Sequence, residues 1–504
     1  MNFARDVVDA ADPAQLALIE LARDGSRREW SFGEVADAAA RLAGTFTRLG
    51  VGRGDVVMTV IGNRPDWVLT MVACFRIGAV VLPCTEQLRA KDLRLRLDAA
   101  RPKLVLCDER NAGELTAAQP SCRVLLTPDA ALLGGAPADA VELAPSDPCL
   151  ITFTSGTAGE PKGVLHAQRY LTGQELQATH WLDARAGEIV WCTAGAGWSK
   201  SARNVFIAPW LRGAAALLHD ARFDPQERIE LLERERVNVL CMAPTEYRVI
   251  AKRATPRRLA TLRGLVAAGE ALNPEVLRVW EQQTGLLIRD GYGQTETGQL
   301  TGTPLGESIR PGSMGKPLPG VDLRIDDGEL VADAATVPTF FLGYLNDGAD
   351  AQTGAGGGAA GAAGADATGP AVRGGDRSEP WRTGDRVRID DDGFLFFEGR
   401  TDDVIISAGY RIGPFEVESA LVAHPLVAEA AVVSAPDEER GAIVRAIVVL
   451  RDGATPSDAL ARELQDHVKQ QTAPYKYPRR VDFASELPKT ASGKIRRALL
   501  REQG

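Results

Sequence analysis

Short apolar runs alternate with helical patterns along the N-terminal part of the chain. The run 55–61 has the length and composition of a buried strand. The segment 31–50 predicts a helix, because Ser31 can cap its start, Glu34 stands three positions later and Gly50 can end it. Such alternation is typical of a parallel sheet with crossover helices and predicts an α/β fold. The same reasoning predicts further strands at 80–82, 104–107, 124–127, 149–153, 189–193, 214–218, 237–242 and 264–268, and helices at 67–77, 224–236 and 274–284.

From about Gly320 the pattern changes. Short strands at 321–325 and 330–331 flank an Asp-Asp-Gly turn, which predicts a smaller β-rich unit. Residues of about 350–375 are rich in Gly and Ala and carry no core-forming side chains, so this stretch is predicted to be a flexible surface loop. From Trp381 onward the sequence again has the pattern of an ordered structure. A last unit then follows, with predicted helices at 413–423 and 458–471 and strands at 426–433 and 442–450.

The predicted organisation is therefore a large N-terminal domain and a small C-terminal one. Residues 1–400 would form layered α/β subdomains plus the small β-rich subdomain, and residues 401–504 a small α+β domain.

Composition narrows the class of protein. The chain has 504 residues, of which 45% are hydrophobic and 25% charged, and its net charge of −9 argues against a general nucleic-acid partner. No apolar run approaches the ~20 residues of a membrane span. The start lacks the basic-then-apolar order of a signal peptide, so we expect a cytoplasmic enzyme. The seven cysteines are scattered without a C-x-x-C pair and the five histidines without metal-ligand spacing, so we expect buried thiols and structural histidines.

The stretch 154–163 carries the clearest chemical signal. It reads TSGTAGEPKG and follows an apolar run that predicts a strand. Small residues let backbone N–H groups approach phosphate oxygens, hydroxyls donate hydrogen bonds, and Lys162 supplies positive charge. The spacing of a Walker loop is absent. A polar turn after a strand would explain a generic Gly/Ser/Thr sequence, but this ordered string favours a phosphate-binding loop.

Four further stretches carry candidate chemistry. In DGYGQTET, at 290–297, a tyrosine could stack on a base, and Glu296 could hold Mg²⁺. In RTGD, Asp385 could accept hydrogen bonds from both hydroxyls of a ribose. GRTDD, at 399–403, lies at the domain junction, where a hinge is expected. SAGYRI, at 407–412, has a glycine that allows the close approach of a ligand or of another backbone segment. Taken alone, DGYGQTET is equally typical of a polar turn, a lone T-G-D is more often just a turn, and SAGYRI also fits a strand-to-helix turn.

In this order the motifs resemble those of the adenylate-forming superfamily of acyl-CoA synthetases, adenylation domains and luciferases. The strings TSGTAGEPKG, GYGQTET, RTGD, GRTDD and PKTASGK carry the resemblance, which covers essentially the whole chain. The chain is more closely similar to the medium-chain acyl-CoA synthetases through GAGWSKS at 195–201, YGQTETG at 292–298 and TAPYKYPR at 472–479. The resemblance implies an AMP-forming ligase that uses ATP, Mg²⁺ and coenzyme A and whose C-terminal domain is mobile.

The resemblance also implies roles at the ATP site. Lys494, Thr295 and Glu296 would be catalytic, with Glu296 holding Mg²⁺ and Lys494 bridging the carboxylate and the α-phosphate region. Asp385 and Arg400 would bind the ribose. The other residues implied to contact ATP or AMP are Thr154, Ser155, Gly156, Thr157, Gly159, Lys162, Gly269, Glu270, Ala271, Asp290, Gly291, Tyr292, Gly293 and Gln294.

For the second half-reaction the resemblance implies that the C-terminal domain rotates about Asp402. Gly409 and Tyr410 would then line the tunnel for the pantetheine chain. The full set of implied contacts to coenzyme A is Gln87, Ser407, Gly409, Tyr410, Arg411, Arg440 and Lys469. Surface charge or polarity alone would also explain Gln87, Arg440 and Lys469.

The acyl pocket is expected to be lined by Trp198, Thr245 and Gly269. Amino-acid-activating relatives carry an aspartate in the segment that corresponds to 194–206, and this segment has no acid, which argues against an α-amino acid substrate. Trp198 and the small residues suit an apolar tail of moderate length or an aryl ring, and both alternatives stay open.

Three functions are compatible with the motifs. The first is a medium-chain or aryl (benzoate- or phenylacetate-like) acyl-CoA ligase. The second is a stand-alone adenylation enzyme that loads a carrier protein, and the third is an inactive binding protein, against which the intact motifs argue. The exact acid, the pathway, the possible homo-oligomer and the role of the Gly/Ala-rich loop stay open.

The sequence departs from the family pattern in two places. Asp290-Gly291 stands where close relatives favour Glu-Ser. The Gly/Ala-rich loop at 350–375 stands where relatives usually have a shorter, structured connection to the RTGD motif.

Overall fold

The protein is described by a computed structural model. It covers residues 1–154, 161–269, 272, 274–345, 370–401, 403–407, 410–437, 440–489 and 495–502. The predicted Gly/Ala-rich loop at about 350–375 lies largely outside these residues. Within them, no helix has the length and apolar character that a bilayer crossing requires.

Strands supply the framework of the described chain. In chain order they are β1 Leu16–Leu21, β2 Arg27–Ser31, β3 Val56–Val60, β4 Val80–Cys84, β5 Leu104–Asp108, β6 Arg123–Thr127, β7 Pro148–Phe153, β8 Gly163–Ala167, β9 Ile189–Cys192, β10 Ala215–His219, β11 Val239–Met242, β12 Gly264–Ala268, β13 Ile288–Gln294, β14 Gly298–Gly302, β15 Lys316–Pro317, β16 Leu323–Asp326, β17 Glu329–Asp333, β18 Gly343–Leu345, β19 Val372–Arg373, β20 Pro380–Ile389, β21 Leu395–Arg400, β22 Ile405–Ser407, β23 Tyr410–Ile412, β24 Val427–Asp437, β25 Gly441–Leu450 and β26 Arg480–Phe483.

Helices connect and cover these strands. They are α1 Phe32–Arg48, α2 Pro65–Ile77, α3 Ala90–Ala100, α4 Ala112–Ala117, α5 Gln168–Gly173, α6 Glu175–Gln177, α7 Ala208–Leu211, α8 Pro225–Arg234, α9 Pro244–Arg253, α10 Pro274–Thr284, α11 Pro414–Val422, α12 Asp458–Gln471 and α13 Arg497–Glu502. Short helical turns occur at Ala4–Asp9, Glu109–Asn111, Ala130–Leu133, Ala178–Leu182, Arg203–Ile207, Ala334–Thr336 and Pro474–Lys476.

Two large, mostly parallel sheets dominate the N-terminal part of the described chain. One has nine strands in the order β15-β14-β13-β12-β11-β9-β10-β1-β2, and the other has eight in the order β19-β18-β8-β7-β4-β3-β5-β6. Their central neighbours are parallel, as in β3 with β4 and β11 with β12, whereas antiparallel pairs such as β1 with β2 lie toward the edges. The predicted α/β fold with crossover helices is confirmed.

Both faces of each large sheet are buried, which gives the fold five layers. Val57 of β3 and Val239 of β11 belong to one apolar cluster that the two sheets share with α1 and α2. On the opposite face of the eight-stranded sheet, Met58 belongs to a cluster beneath α3 and α4. Leu240 likewise belongs to a cluster beneath α8, α9 and α10. Adjacent strand residues point to opposite faces, so apolar runs rather than alternating patterns mark these strands.

The predicted β-rich unit and C-terminal unit are both present. β16, β17, β20 and β21 form a four-stranded antiparallel sheet, whose first hairpin turns at Asp327 and Gly328. Beyond it, β22 pairs with β23, and β24, β25 and β26 form a separate sheet covered by α11 and α12. The domain boundary between residues 400 and 401 stays a prediction.

All seven cysteines are free thiols, and six of them are buried. Burial raises the pKa of the thiols of Cys84 and Cys107 to about 12. These two cysteines lie at the carboxyl ends of β4 and β5. The expectation of reduced, mostly buried thiols is met.

The predicted cap of α1 gives a test of the local folding argument. The amide of Glu34 donates to Ser31 Oγ at 3.2 Å, and the Glu34 carboxylate accepts from the Ser31 amide at 2.8 Å. We expect Ser31→Ala to cost ~1 kcal/mol locally, which is about fivefold faster amide exchange in the first turn of α1. Hydrogen exchange measured by mass spectrometry checks this. In the matched control, Ser457→Ala, the effect should move to α12, where Ser457 Oγ accepts from the Leu460 amide at 3.1 Å. Equal acceleration in both helices by either variant would contradict the capping argument.

Candidate active site

The predicted site residues converge on the carboxyl edge of the nine-stranded sheet. Trp198 follows β9, Thr245 is the second residue of α9, which follows β11, and Gly269 follows β12. Asp290 lies on β13. Thr154 directly follows β7 of the eight-stranded sheet. Parallel strands end at one edge, and ligands of open α/β sheets bind in the crevice at that edge.

A buried carboxylate joins three of the predicted ATP residues. Asp385 is only 4% exposed, and its Oδ2 accepts hydrogen bonds from the Tyr292 hydroxyl and from Gln294 Nε2, the latter at 2.8 Å. Arg400 Nη1 reaches the other oxygen at 3.3 Å from the directly paired position on β21. Burial and the charge of Asp385 raise the pKa of Tyr292 well above its ordinary value, so the phenol keeps its proton and donates. Trp381, which sequence reasoning missed, holds the other end of the Gln294 amide with a hydrogen bond of 2.9 Å.

Glu296 faces the end of the predicted phosphate loop. The Tyr344 hydroxyl donates to Glu296 Oε1 at 2.8 Å, and the ammonium of Lys162 lies 5.4 Å from the centre of the Tyr344 ring. The two ends of the loop are joined, because the Thr154 amide donates to the Lys162 carbonyl at 2.9 Å and the Lys162 amide to Thr154 Oγ1 at 3.1 Å. Thr295, next to Glu296, is half-buried. Tyr344 had no sequence signal, because a lone tyrosine in an apolar strand reads as core.

The region around Glu296 suits a magnesium ion whose ligands are mostly phosphate oxygens. The described residues contain no group of three or more His, Cys, Asp or Glu side chains that could hold a metal. The Glu296 carboxylate, which accepts from Tyr344 through Oε1, could supply Oε2 as a ligand beside phosphate oxygens and water, and this fits the way Mg²⁺ is usually bound.

Glycines on β13 are required by packing inside the protein. A Cβ at Gly293 would lie 1.9 Å from the Gly298 carbonyl oxygen across the β13–β14 hairpin, and one at Gly291 would lie 2.2 Å from Gln299 Nε2. The close pairing of β14 therefore explains both glycines, independently of any room that a base needs.

The predicted acyl-pocket segment packs against the loop after β4. Gly197 has a φ of +90°, and a Cβ there would lie 2.4 Å from the Thr85 amide nitrogen. Asn63 holds the same turn, accepting from the Ala196 amide at 2.9 Å and donating to the Ala194 carbonyl at 3.3 Å. Exposed Gln87 is two residues beyond Thr85, so its loop adjoins the acyl segment.

Thr245 and Asp290 border this region from two other strands. Thr245 Oγ1 accepts from Arg248 at 3.0 Å within α9. The Asp290 carboxyl is 8% exposed and accepts from the Gly291 amide at 2.8 Å. Burial raises the pKa of Asp290 to about 8. Lys200, which sequence reasoning left without a role, lowers that pKa slightly through its charge and reaches the carbonyl oxygen of Ala268.

The residues predicted for coenzyme A lie in three places. The Tyr410 ring, 52% exposed, stacks on Tyr475 with 4.3 Å between ring centres, and the half-buried Lys469 has its ammonium 4.4 Å from the centre of the Tyr477 ring. Ser407 is the direct partner of Tyr410 in the β22–β23 hairpin. These residues, Tyr410, Tyr475, Tyr477 and Lys469, form what we call the aromatic patch. Arg440 lies elsewhere, at the turn between β24 and β25, and Gln87 lies on the N-terminal part.

Several predicted site residues fall outside the described part of the chain. They are Ser155, Gly156, Thr157, Gly159, Glu270, Ala271, Asp402, Gly409 and Lys494, together with the side chain of Arg411.

Comparisons with known proteins agree with this geometry. Residues 6–338 match the model of the AMP-binding enzyme family, and residues 416–494 match that of the AMP-binding enzyme C-terminal domain. The chain is 39% identical to acyl-coenzyme A synthetase ACSM4, mitochondrial, of Rattus norvegicus, over 100% of this chain and 90% of the relative.

Two solved structures are similar over the whole chain. The acyl-CoA synthetase of Brucella canis has 33% identity and a TM-score of 0.72, with 100% of this chain and 94% of that one covered. The anthranilate CoA ligase AuaEII, solved in complex with anthranoyl-AMP, has 27% identity and a TM-score of 0.85, with 100% and 97% covered. The chain belongs to the AMP-binding enzyme family, among the AMP-forming acyl-CoA synthetases.

Proposed function

We propose that this acyl-CoA synthetase activates a medium-chain carboxylic acid. The observation that carries the assignment of roles is the set of contacts of Asp385, a buried carboxylate that accepts hydrogen bonds from Tyr292 of β13 and Arg400 of β21. The Asp385 carboxylate would accept hydrogen bonds from the ribose hydroxyls, and the region of Glu296 and Lys162 would bind the phosphates. The acid would enter from the Trp198 side, where the segment 194–206 carries no carboxylate.

In the first half-reaction, a carboxylate oxygen attacks the α-phosphorus of ATP and pyrophosphate leaves with the bonding electrons. Two anions must meet, so stabilisation of charge dominates the barrier. Thr154 and Lys162 would hold the β- and γ-phosphates. Mg²⁺, held through Glu296, would neutralise charge on the triphosphate. Lys494 would bridge the carboxylate and the α-phosphate.

The nucleoside would lie along β13. Among the described residues, Asp385 accepts hydrogen bonds from Tyr292, Gln294 and Arg400, and ribose binding would add to or exchange these contacts. The Arg400 contacts to Asp385 and to the Thr383 carbonyl, at 3.3 Å and 3.4 Å, are long, so Arg400 would be the partner that moves aside.

In the second half-reaction the thiol of coenzyme A attacks the acyl carbonyl and AMP leaves. We propose that the C-terminal domain rotates about Asp402 to bring Ser407, Gly409 and Tyr410 to the site. Within the aromatic patch, Tyr410 would line the pantetheine tunnel, and Lys469 beside the Tyr477 ring would meet the nucleotide end of coenzyme A, because a lysine charge next to an aromatic ring suits a phosphorylated base.

An aryl acid is the second candidate substrate. The similar anthranilate CoA ligase structure has the higher of the two TM-scores, 0.85 against 0.72. The acyl pocket proposed beside Trp198 would accept an aromatic ring as well as an alkyl chain.

The first test is turnover with a panel of acids. We expect pyrophosphate and thioester to form together when the enzyme receives ATP, Mg²⁺, coenzyme A and acids from acetate to decanoate, with a maximum between hexanoate and decanoate. A maximum at benzoate or phenylacetate would select the aryl alternative. Pyrophosphate without thioester would favour transfer to a carrier protein, and no acid-dependent pyrophosphate would refute the proposal.

The second test separates the two half-reactions. Lys494→Ala should lose at least about a hundredfold in adenylation, because one charge at the developing transition state is removed. The same variant should convert supplied acyl-adenylate to thioester within about twofold of the wild-type rate, since attack by the thiol needs no bridging lysine. Lys489→Ala, on the same segment but ion-paired with Glu429 at 2.6 Å, is the matched control. Equal loss in both halves would contradict the two roles.

The third test uses the raised pKa of Asp290, about 8. Its ordinary pKa is near 4, so between about pH 4 and 8 the folded state holds a proton that the unfolded state releases. Stability should therefore fall as pH rises through this window. Asp290→Asn removes this titration, so its melting temperature relative to wild type should be higher at pH 7.5 than at pH 5. Exposed Asp391→Asn is the control. An equal difference at both pH values would show that Asp290 stays ionised.

A further inference from the structure

Two buried cysteines lie next to each other on neighbouring strands of the nine-stranded sheet. Cys192 ends β9, Cys241 lies on β11, and the two residues are direct partners in the parallel pairing of these strands. Both side chains belong to the apolar cluster between the two large sheets, so they point to the same face. Their thiols are close enough for a hydrogen bond, which the Cys241 thiol donates to the Cys192 sulfur. The fold therefore brings a pair of thiols together.

The segment 194–206, which carries Trp198 of the predicted acyl pocket, contacts both sulfurs. At its start the Ala194 amide donates to the Cys192 sulfur. Near its end Asn204 Nδ2 donates to Cys241 Sγ at 3.8 Å, and Asn204 Oδ1 accepts from Gln177 at 3.0 Å. The distance between the two sulfurs thus bears directly on how this segment is held.

The two thiols differ in reactivity. Six of the seven cysteines have a raised pKa, whereas that of Cys192 is lowered. Donation by the Cys241 thiol is the main cause of the lowering, burial opposes it, and the Ala194 amide and the charge of Lys200 add to it. Oxidants react with thiolates rather than thiols. Cys192 is therefore the sulfur that reacts first, and Cys241 is placed to react with the product.

We infer that Cys192 and Cys241 form a redox modification site, at which hydrogen peroxide closes a disulfide that disables the acyl pocket. The site goes beyond the proposed function, and only its effect on turnover rests on that function. The Cys192 thiolate attacks peroxide, an S–O bond forms, the O–O bond breaks, and the hydroxide that leaves takes up a proton to become water. Cys241 then loses its proton and attacks the sulfenic sulfur, the S–S bond forms, and the S–O bond breaks to release a second water.

The disulfide would be strained and therefore easy to reverse. The Cβ atoms of a disulfide lie about 3.8 Å apart, whereas neighbouring strands lie about 4.8 Å apart. Closing the bond pulls the ends of β9 and β11 together by on the order of 1 Å, and this displaces the contacts of Ala194 and Asn204. Strained disulfides are more oxidising than structural ones, so a dithiol reductant should reopen the bond.

The experiment treats the reductant-free enzyme with hydrogen peroxide, alkylates the remaining thiols and analyses unreduced peptides by mass spectrometry. We expect a cross-link between the peptides of Cys192 and Cys241. Pyrophosphate release with the preferred acid should fall at least about tenfold, because a shift of about 1 Å in groups that position a substrate is enough for such a loss. Dithiothreitol should restore the rate to within about twofold of the untreated enzyme.

Three variants separate the roles of the thiols. Cys192→Ala should keep its activity in peroxide, because the reacting thiolate is gone. Cys241→Ala should stop at the sulfenic acid of Cys192, which dimedone labels, and should form no cross-link. The control is Cys122→Ala, which removes the one cysteine that is not buried and should leave the response to peroxide unchanged. Alanine suits the buried positions, since a buried thiol packs as a small apolar group.

Three results would overturn the inference. Peroxide could inactivate wild type while both thiols stay free, the cross-link could form without loss of activity, or Cys122→Ala could abolish the inactivation. The first result is read from wild type and needs no variant to fold. An enzyme that turns over no acid would refute the proposed function, whereas the cross-link is measured by mass and is tested separately.

Discussion

The structure depends on burying both faces of two parallel sheets at once. A parallel sheet leaves no face for water, so each needs a helix layer on both sides. Here α1 and α2 serve both sheets as a common middle layer, and α3, α4 and α8 to α10 cover the outer faces. With the faces closed, chemistry is left to the edges, where strands end and loops begin. That is why Gly197 lies against Thr85, and Gly269 against Lys200, although they are distant in sequence.

This constraint explains which parts of the fold the sequence could predict. The central strands are apolar runs because both faces are buried, so β3, β5 and β12 were found almost to the residue. Edge strands obey another rule. β20, Pro380–Ile389, is largely polar and was read only as a motif, and the β1–β2 hairpin was missed because β2 reads RREWS, a polar edge strand. Their positions depend on pairing with strands that are distant in the sequence, and the local sequence does not predict that pairing.

The functional site likewise has a part that the sequence predicts and a part that it does not. Motif residues could be predicted singly, because glycines, hydroxyls and carboxylates at set spacings indicate phosphate and ribose chemistry. Their mutual contacts could not. The bond from Tyr292 to Asp385 joins β13 to β20, and that from Tyr344 to Glu296 joins two sheets. The closeness of Lys200 to Gly269 could not be predicted either, since it joins the segment after β9 to the end of β12. Asp290 and Asp385 show the same point, because burial raises the pKa of Asp290 to about 8, whereas Asp385 accepts hydrogen bonds from side chains on two other strands, β13 and β21.

The buried thiols matter for a side reaction of the acyl-adenylate intermediate. An acyl-adenylate is a mixed anhydride, and any thiolate within reach would be acylated in place of coenzyme A. Cys84 and Cys107 lie at the carboxyl ends of β4 and β5, the edge at which the intermediate would form, yet their pKa of about 12 keeps almost all of each as the unreactive thiol at neutral pH. Sealing these two sulfurs inside the apolar layers thus favours the visiting cofactor over either of them as the nucleophile. The packing that stabilises the fold also keeps these two thiols from reacting with the intermediate.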